Sequence, residues 1–184
     1  MKVTDAERLM LLMLCDIYDR TGTNGEFDTD FIRSAIYGEK DWSIPWKFSG
    51  IPFENQETPQ VVKDVLDILD MWSFIEYSYK KLTPAQKEEL QAAADPFGKS
   101  PMFRGFDGNH ESEYMSTAAF LVNQLDRFVE FKDRDFNSHM GTVDAYKRML
   151  VPYLRVRDKL ANGPLDSRDL AMILKEQIHP DNRR

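Results

Sequence analysis

The first third of the chain alternates apolar and polar positions with helical periodicity. Thr4 and Glu7 in TDAER form a capping box, in which the hydroxyl and the carboxylate each accept a backbone N–H at a helix start. The apolar residues that follow, from Leu9 to Tyr18, nearly encircle this helix, which predicts a buried central element. A short second helix is predicted in DTDFIRSAIYG, ending at Gly38.

The middle of the chain predicts a longer helix with two distinct faces. Thr58 and Pro59 are an N-cap and first-turn proline pair that opens it. One face is apolar and a second is acidic. The apolar face comprises Val62, Val65, Leu66, Leu69 and Trp72, and the acidic face comprises Asp64, Asp67 and Asp70. Alternating apolar residues then predict a short extended segment near 75–79, before Thr83 and Gln86 form a second capping box.

The last third predicts three more helices. The longest runs from about Asn109 to Lys132 on a broad apolar stripe, and the next from Thr142 towards Leu160, with Pro152 kinking or breaking it. Asp166 or Ser167 caps the last one. The chain therefore predicts an all-α fold of about seven helices, in one domain over 1–184 with interdependent lobes at about 1–94 and 95–184.

Composition and charge narrow the class of protein. The longest apolar run, Leu9 to Cys15, is far shorter than the roughly 20 residues of a membrane span, and acidic residues flank it, which argues against a signal peptide. We therefore expect a cytoplasmic protein that does not bind membranes. The single cysteine, Cys15, excludes an internal disulfide, and its apolar flanks favour inert packing.

The net charge of −7 is unevenly distributed. Residues 1–82 hold 9 Lys and Arg against 15 Asp and Glu, and the remaining residues hold 15 against 16. The front of the chain is therefore acidic, which disfavours nucleic acid as a partner because phosphate backbones are bound by cations. A basic group in the back half, offset by neighbouring acids, is interpreted as a solvated helix face; it comprises Lys147, Arg148, Arg155, Arg157 and Lys159.

Two segments are candidate sites. The loop at 39–57 carries four large aromatic residues, Trp42, Trp46, Phe48 and Phe53, which water cannot favourably surround. We expect at least one of Trp42 and Trp46 to be buried against the front-half helices and the other to contribute to a subunit or partner contact.

The stretch FRGFDGNHESEY groups four polar residues, Arg104, Asp107, His110 and Glu111. They are interpreted as a helix start, with Asp107 as the N-cap and Glu111 in the first turn. The alternative is a hydrolase site in which these residues converge into an acid, a base and an anion clamp, using Arg104, Glu111 and Asp107, with Asp107 as the base.

Known motifs for metals, nucleotides and nucleophilic catalysis are missing from the sequence. The three histidines, His110, His139 and His179, are scattered and no HExxH or CxxC spacing occurs. No GxGxxG, GxxxxGK[ST] or GxSxG motif is present either. The sequence thus predicts no cofactor, no metal and no enzymatic activity.

One arrangement keeps a DNA-binding alternative open. Residues 4–82 match the order of a helix-turn-helix unit followed by a small wing at FIEYSYKKL. The helix that would enter the major groove, however, carries Asp64, Asp67 and Asp70 against one lysine, Lys63, and would repel phosphates. A transcriptional regulator is therefore the second hypothesis.

Five segments together resemble the YfbU-like family of bacterial cytoplasmic proteins. They are TDAERLMLL, DVLDILDMWSFIEYSYKKL, FRGFD followed by Glu113 and Tyr114, FLVNQLDRF, and NS followed by YKRML. The stretch from about 21 to 56 matches least. The resemblance implies an all-α cytoplasmic protein with a tendency to self-associate, in a family without an established activity, so no catalytic residue is carried over.

Together these patterns favour a non-enzymatic helical protein that acts through protein–protein association, including with itself. The aromatic loop and the broad apolar stripes are the features that motivate this hypothesis.

Overall fold

The computed structural model describes residues 3–22, 25–54, 56–158 and 163–182. Within these ranges the fold is all-α, as predicted, with eight α-helices, three 3-10 helices and no named strand. The α-helices are α1 (Asp5–Arg20), α2 (Thr29–Tyr37), α3 (Ile44–Lys47), α4 (Gln60–Lys81), α5 (Pro84–Ala93), α6 (Ser112–Asn123), α7 (Val143–Arg157) and α8 (Ser167–Lys175). None of the helices in the described ranges is long and apolar enough to cross a membrane.

The chain divides into two compact units, residues 1–60 and 61–184. The division falls at the start of α4, earlier than the lobe boundary expected near residue 94. That the two parts form a single domain stays a prediction.

Unit 1 (residues 1–60) packs α2 against one side of α1. The capping box at the start of α1 is confirmed, since the Glu7 backbone N–H donates to the Thr4 hydroxyl at 3.3 Å and the Thr4 N–H donates to the Glu7 carboxylate at 2.8 Å. Arg33 of α2 binds back to α1, with its guanidinium 2.6 Å from Asp19. The buried residues of this unit are Cys15, Phe31, Ala35, Ile36, Lys40, Ser43 and Ile44.

The predicted central burial of α1 is wrong. Among the residues of α1, only Cys15 is buried. Most of its large apolar side chains are more than half exposed. An apolar pattern around a whole helix predicts burial on all sides, but unit 1 covers only the side that α2 contacts.

Unit 2 (residues 61–184) is built around α4, and the extended segment expected near 75–79 is wrong. These residues continue a 22-residue helix. The alternation of apolar and polar residues is misleading here, because the polar residues Glu76 and Ser78 are buried in the helix and hydrogen-bonded. Arg134 donates to Glu76 at 2.7 Å, and Ser78 accepts the Leu165 N–H at 2.8 Å. Lys80 and Lys81 end the helix, where the negative end of the helix dipole favours cations.

An aromatic cluster forms the core beside α4. The Trp72 ring lies 5.5 Å from Tyr146 of α7, and Phe103 lies 5.5 Å from Phe106 and 5.3 Å from Phe131. All five residues are buried. Such edge-to-face and tilted contacts add to the burial of the rings themselves.

The long helix expected at 109–132 is also wrong. α6 covers only Ser112–Asn123, and the chain then turns through left-handed residues at Asp126 (φ 51°) and Phe128 (φ 52°). The turn leads into a 3-10 helix that buries Phe131 in the core. In a continuous helix, the Phe131 ring would instead have extended the apolar side of α6.

The remaining helix ends agree better with the sequence. Thr83 and Gln86 form the predicted capping box, and Asp166 caps α8 by accepting two backbone N–H groups. Pro152 does not break α7, which continues through it to Arg157. The predicted extension of α7 to Leu160 lies outside the described residues.

Candidate functional site

One side of α1 presents an uninterrupted apolar surface, which we name the α1 face. It consists of Leu9, Met10, Met13, Leu14 and Ile17. Each of these side chains is between 53% and 61% exposed. Their spacing of one, three and four residues places them together on about 12 Å of helix.

A groove of about 440 Å³ lies between α1 and α2, near the end of α1 and the start of α2. The groove is lined by apolar side chains and threonines, among them Leu11, Tyr18, Phe27 and Ile32. Cys15 lies at its base, where burial raises the pKa of the thiol, as expected of a packing residue rather than a reactive one. The Leu14 and Ile17 side chains line this groove as well, so it adjoins the α1 face.

The aromatic loop forms a second candidate site, which we name the tryptophan cavity. The Trp42 and Trp46 rings meet edge to face with centroids 4.9 Å apart. Together with Phe53 they line a cavity of about 590 Å³. Both tryptophans are half-buried. That at least one of them packs against the front-half helices while the other contributes to a partner contact stays a prediction.

Phe48, the fourth aromatic residue of the loop, lies apart from this cavity. Its ring centroid is 5.6 Å from Phe27 and 6.0 Å from Phe31. Lys47 beside it binds Asp28 at 3.5 Å and lies over the Phe31 ring. Phe48 therefore anchors the loop to α2, while the other three aromatic residues face the cavity.

Acidic side chains surround the tryptophan cavity, a feature that the sequence analysis missed. Glu39, Asp41, Glu54 and Glu57 all line it. Asp41 is bound by Arg8 at 2.6 Å, and burial raises the pKa of its carboxyl group. The sequence already indicates this acidic character, because the aromatic loop at 39–57 contains four acidic residues and two lysines.

The polar residues of FRGFDGNHESEY are brought together, but in structural roles. The Glu111 carboxylate accepts the backbone N–H groups of Thr142 and Val143, each at 2.9 Å, and that of Asp107 at 3.0 Å. It thus caps α7, a helix that begins more than 30 residues later. The predicted role of Glu111 in the first turn of α6 is wrong, since α6 begins at Ser112.

Asp107 caps a turn and not a helix. Its carboxylate accepts the Asn109 N–H at 3.0 Å and contacts His110 Nδ1 at 2.7 Å, and these two bonds, the backbone bond first, lower its pKa. Asp107 is buried and His110 is exposed. The Arg104 backbone N–H donates to the Tyr146 hydroxyl at 3.4 Å, while the residue itself is exposed.

Gly105 explains why the polar stretch folds against a distant segment. Its φ of 86° is left-handed, and a Cβ atom there would lie 2.1 Å from the Phe136 carbonyl oxygen. Just beyond it the Phe106 N–H donates to that same oxygen at 2.8 Å, forming a single bridge with the chain at Asn137. The stretch is therefore fixed by close backbone contact. Among the described residues, no three His, Cys, Asp or Glu side chains are grouped to hold a metal.

The acidic residues on the acidic face of α4 form ion pairs and hydrogen bonds with residues of α7. Asp64 binds Lys147 of α7 at 2.8 Å. Asp70 accepts a hydrogen bond from the Tyr153 hydroxyl at 2.7 Å, and Arg157 lies 3.5 Å from the same carboxylate. Two members of the basic group thus neutralise these acids, so this group is not simply a solvated face; Lys159, its last member, lies outside the described residues.

The wing that the DNA-binding alternative requires is helical in the structure. The segment expected to form the wing is the C-terminal part of α4. DNA binding by residues 4–82 stays a prediction without a structural observation in its favour.

Comparison with known proteins gives the chain a family. It is 33% identical over 91 residues to a UPF0304 protein, MJECS11, of Methanocaldococcus jannaschii, an alignment that covers 47% of this chain and 51% of that protein. The chain thus spans about half the length of this curated relative. A family model described as the YfbU domain matches residues 1–175. With most of its length matched by that model, the chain belongs to the YfbU family, whose function is uncharacterised.

Proposed function

We propose that this protein acts in the cytoplasm by binding proteins, a second copy of itself included, and not by catalysis. The observation that carries the proposal is the α1 face. A helix on the surface of a globular protein ordinarily turns polar side chains to water. On α1 five neighbouring apolar side chains are instead more than half exposed, and contiguous apolar patches of this kind mark interaction surfaces.

The α1 face extends beyond the groove beside α2. Leu14 and Ile17 line that groove, whereas Leu9, Met10 and Met13 do not line it and are more than half exposed. Covering a large apolar side chain completely is worth about 1.5–3 kcal/mol. Five side chains that are half exposed therefore offer several kcal/mol to a partner.

Helix geometry supports a second copy as one such partner. Two copies of α1 packed antiparallel would bring their apolar faces together with the helix dipoles opposed. The same surface would then serve both chains, as a two-fold interface requires.

The polar stretch supports the absence of catalysis. The hydrolase alternative needs Glu111 and Asp107 to be available to a substrate. Glu111 is occupied by three backbone N–H groups, and Asp107 by a turn and His110.

The test measures molar mass by light scattering across two decades of concentration. We expect the mass of the wild-type protein to rise with concentration, and that of a Met13→Gln, Ile17→Gln variant to stay at the monomer value. Glutamine forms helix about as well as methionine, so α1 itself is preserved. A wild-type protein that is monomeric throughout would overturn self-association.

The matched control is Met140→Gln, Met172→Gln. These methionines are 57% and 43% exposed, similar to the 57% and 56% of Met13 and Ile17, but lie in unit 2. The control is expected to associate like the wild type. Equal loss of association in both variants would show that the α1 face has no special role.

A further inference from the structure

We propose that the cleft between α5 and α8, which we name the α5–α8 cleft, binds a short peptide that carries both an ammonium group and a carboxylate. The volume of the cleft is about 1000 Å³. Small-molecule sites usually have volumes of about 300–1,000 Å³, so the cleft has room for several residues of a peptide. It lies in unit 2, and none of its described lining residues belongs to the α1 face.

The floor of the α5–α8 cleft is apolar. The two helices pack against each other, and Leu90 of α5 and Ala171 of α8 are buried residues that line the cleft. Met172 extends this apolar surface and is 43% exposed. Such a floor suits an apolar side chain of a ligand, while a few polar groups around it fix the ligand's orientation.

Charged side chains of opposite sign line the cleft from different segments. α8 supplies Arg168 and Lys175, which are seven positions apart and therefore lie on one side of the helix, about 10 Å apart along its axis. Glu89 of α5 and Asp95, just beyond the end of α5, supply two carboxylates. All four residues are exposed. Among the described residues, none of these four side chains has an ion-pair or hydrogen-bond partner.

These unpaired charges select a ligand that carries both signs. An anion would be attracted by the two cations and repelled by the two carboxylates, and a simple cation would meet the reverse. Glu176 of α8 also lines the cleft, which further disfavours a purely anionic ligand. A neutral apolar ligand that filled the cleft would remove charged groups from water without compensation, which is unfavourable. A peptide with one group of each sign pairs with both, and its apolar side chain covers the floor.

The experiment titrates the full chain with the tripeptide Ala-Leu-Ala, whose termini carry the two charges, while the methionine methyl signals are followed by NMR. Met172 lines the cleft and reports binding. Met140 is 57% exposed and is not among the lining residues, so it is the internal control. We expect a saturable shift at Met172 and none at Met140. The absence of a saturable shift at Met172, or an equal shift at both methionines, overturns the proposal.

The decisive comparison blocks each end of the tripeptide in turn. N-acetylation removes the ammonium group, C-terminal amidation removes the carboxylate, and a doubly blocked peptide lacks both. We expect each single block to weaken binding about threefold, the size expected of an ion pair exposed to water, and the double block to weaken it further. Equal affinity for the four peptides overturns the proposal.

A fifth peptide distinguishes a free peptide from a segment of a protein partner. N-acetyl-Lys-Leu-Glu amide carries the same two charges on side chains instead of on its termini. Tighter binding of Ala-Leu-Ala indicates a free peptide as the ligand, and tighter binding of the blocked peptide indicates a segment within a longer chain.

Two double variants test the two sets of charges. Arg168→Gln, Lys175→Gln is expected to bind Ala-Leu-Ala several-fold more weakly and no longer to distinguish it from the amidated peptide. Glu89→Gln, Asp95→Asn is expected to lose the distinction between Ala-Leu-Ala and the N-acetylated peptide. Glu88→Gln is the matched control, because Glu88 is exposed next to Glu89 but is not among the lining residues, and it is expected to bind like the wild type. Unchanged discrimination between the peptides in both double variants overturns the proposal.

Discussion

Replacing Glu111 by alanine is expected to destabilise unit 2 through the start of α7. Thr142, the N-cap residue of α7, makes no side-chain capping bond of its own. The Glu111 carboxylate instead accepts the N–H groups of Thr142 and Val143 and also that of Asp107 in its own loop. The substitution therefore leaves three backbone donors without their acceptor.

The expected magnitude follows from those three bonds. A hydrogen bond to a charged group contributes about 1.5–3 kcal/mol when fully buried, and a typical one about 1 kcal/mol. Glu111 is half-buried, so water replaces part of each lost bond. At about 1 kcal/mol per donor, Glu111→Ala lowers the free energy of unfolding by about 3 kcal/mol. Glu111→Gln keeps one acceptor oxygen and is expected to cost about half as much.

Urea denaturation followed by circular dichroism measures the effect. Glu88→Ala is the control, because Glu88 is exposed on α5 and its loss is expected to change stability by less than about 0.5 kcal/mol. The reasoning is refuted if Glu111→Ala unfolds at the same urea concentration as this control. Equal losses in the alanine and glutamine variants would refute the counting of acceptors.

Two further outcomes are expected from the same loop. Gly105→Ala should lower the melting temperature sharply, because its Cβ would lie 2.1 Å from a backbone oxygen, whereas Gly50→Ala, with open space around it, should leave the melting temperature nearly unchanged; equal shifts would contradict the steric argument. Asp107 has a lowered pKa in the folded protein, so its stabilisation is present above the unfolded value of about 3.9 and is lost as the pH falls through the folded value. The difference in unfolding free energy between wild type and Asp107→Asn should therefore shrink below pH 4, and a constant difference would contradict this assignment.

Sequence reasoning succeeded where an interaction is local. The capping boxes at Thr4 and Thr83 and the cap at Asp166 each join residues three positions apart or fewer, so the pattern alone specifies them. Glu111 shows the opposite case. Two of its three backbone partners lie 31 and 32 residues away. From the sequence alone, a carboxylate next to a helix start is interpreted as a local cap, because the position of α7 beside it is not evident.

The α1 face marks a second limit. A run of apolar residues predicts that a surface is buried, but it does not predict which other part of the chain, or which partner, buries it. For Cys15 the partner is α2, and for Met13 the described chain provides none that buries it. The carboxylates of the tryptophan cavity were not predicted for a related reason. Glu39 and Glu57 are 18 positions apart in the sequence, and they line the same cavity only once the loop has folded.

The position of α4 has a consequence for the nascent chain. Asp70 bonds to Tyr153, 83 positions later, and Ser78 to Leu165, 87 positions later. At about 5–20 residues per second, the ribosome needs about 4–17 s to make the residues between the first pair. Through that interval α4, which carries Trp72 and much of the core of unit 2, has left the peptidyl transferase centre without the helices that cover it. Once it has left the ribosome, its apolar side is therefore open to chaperones and to other unfinished chains until the later helices are made.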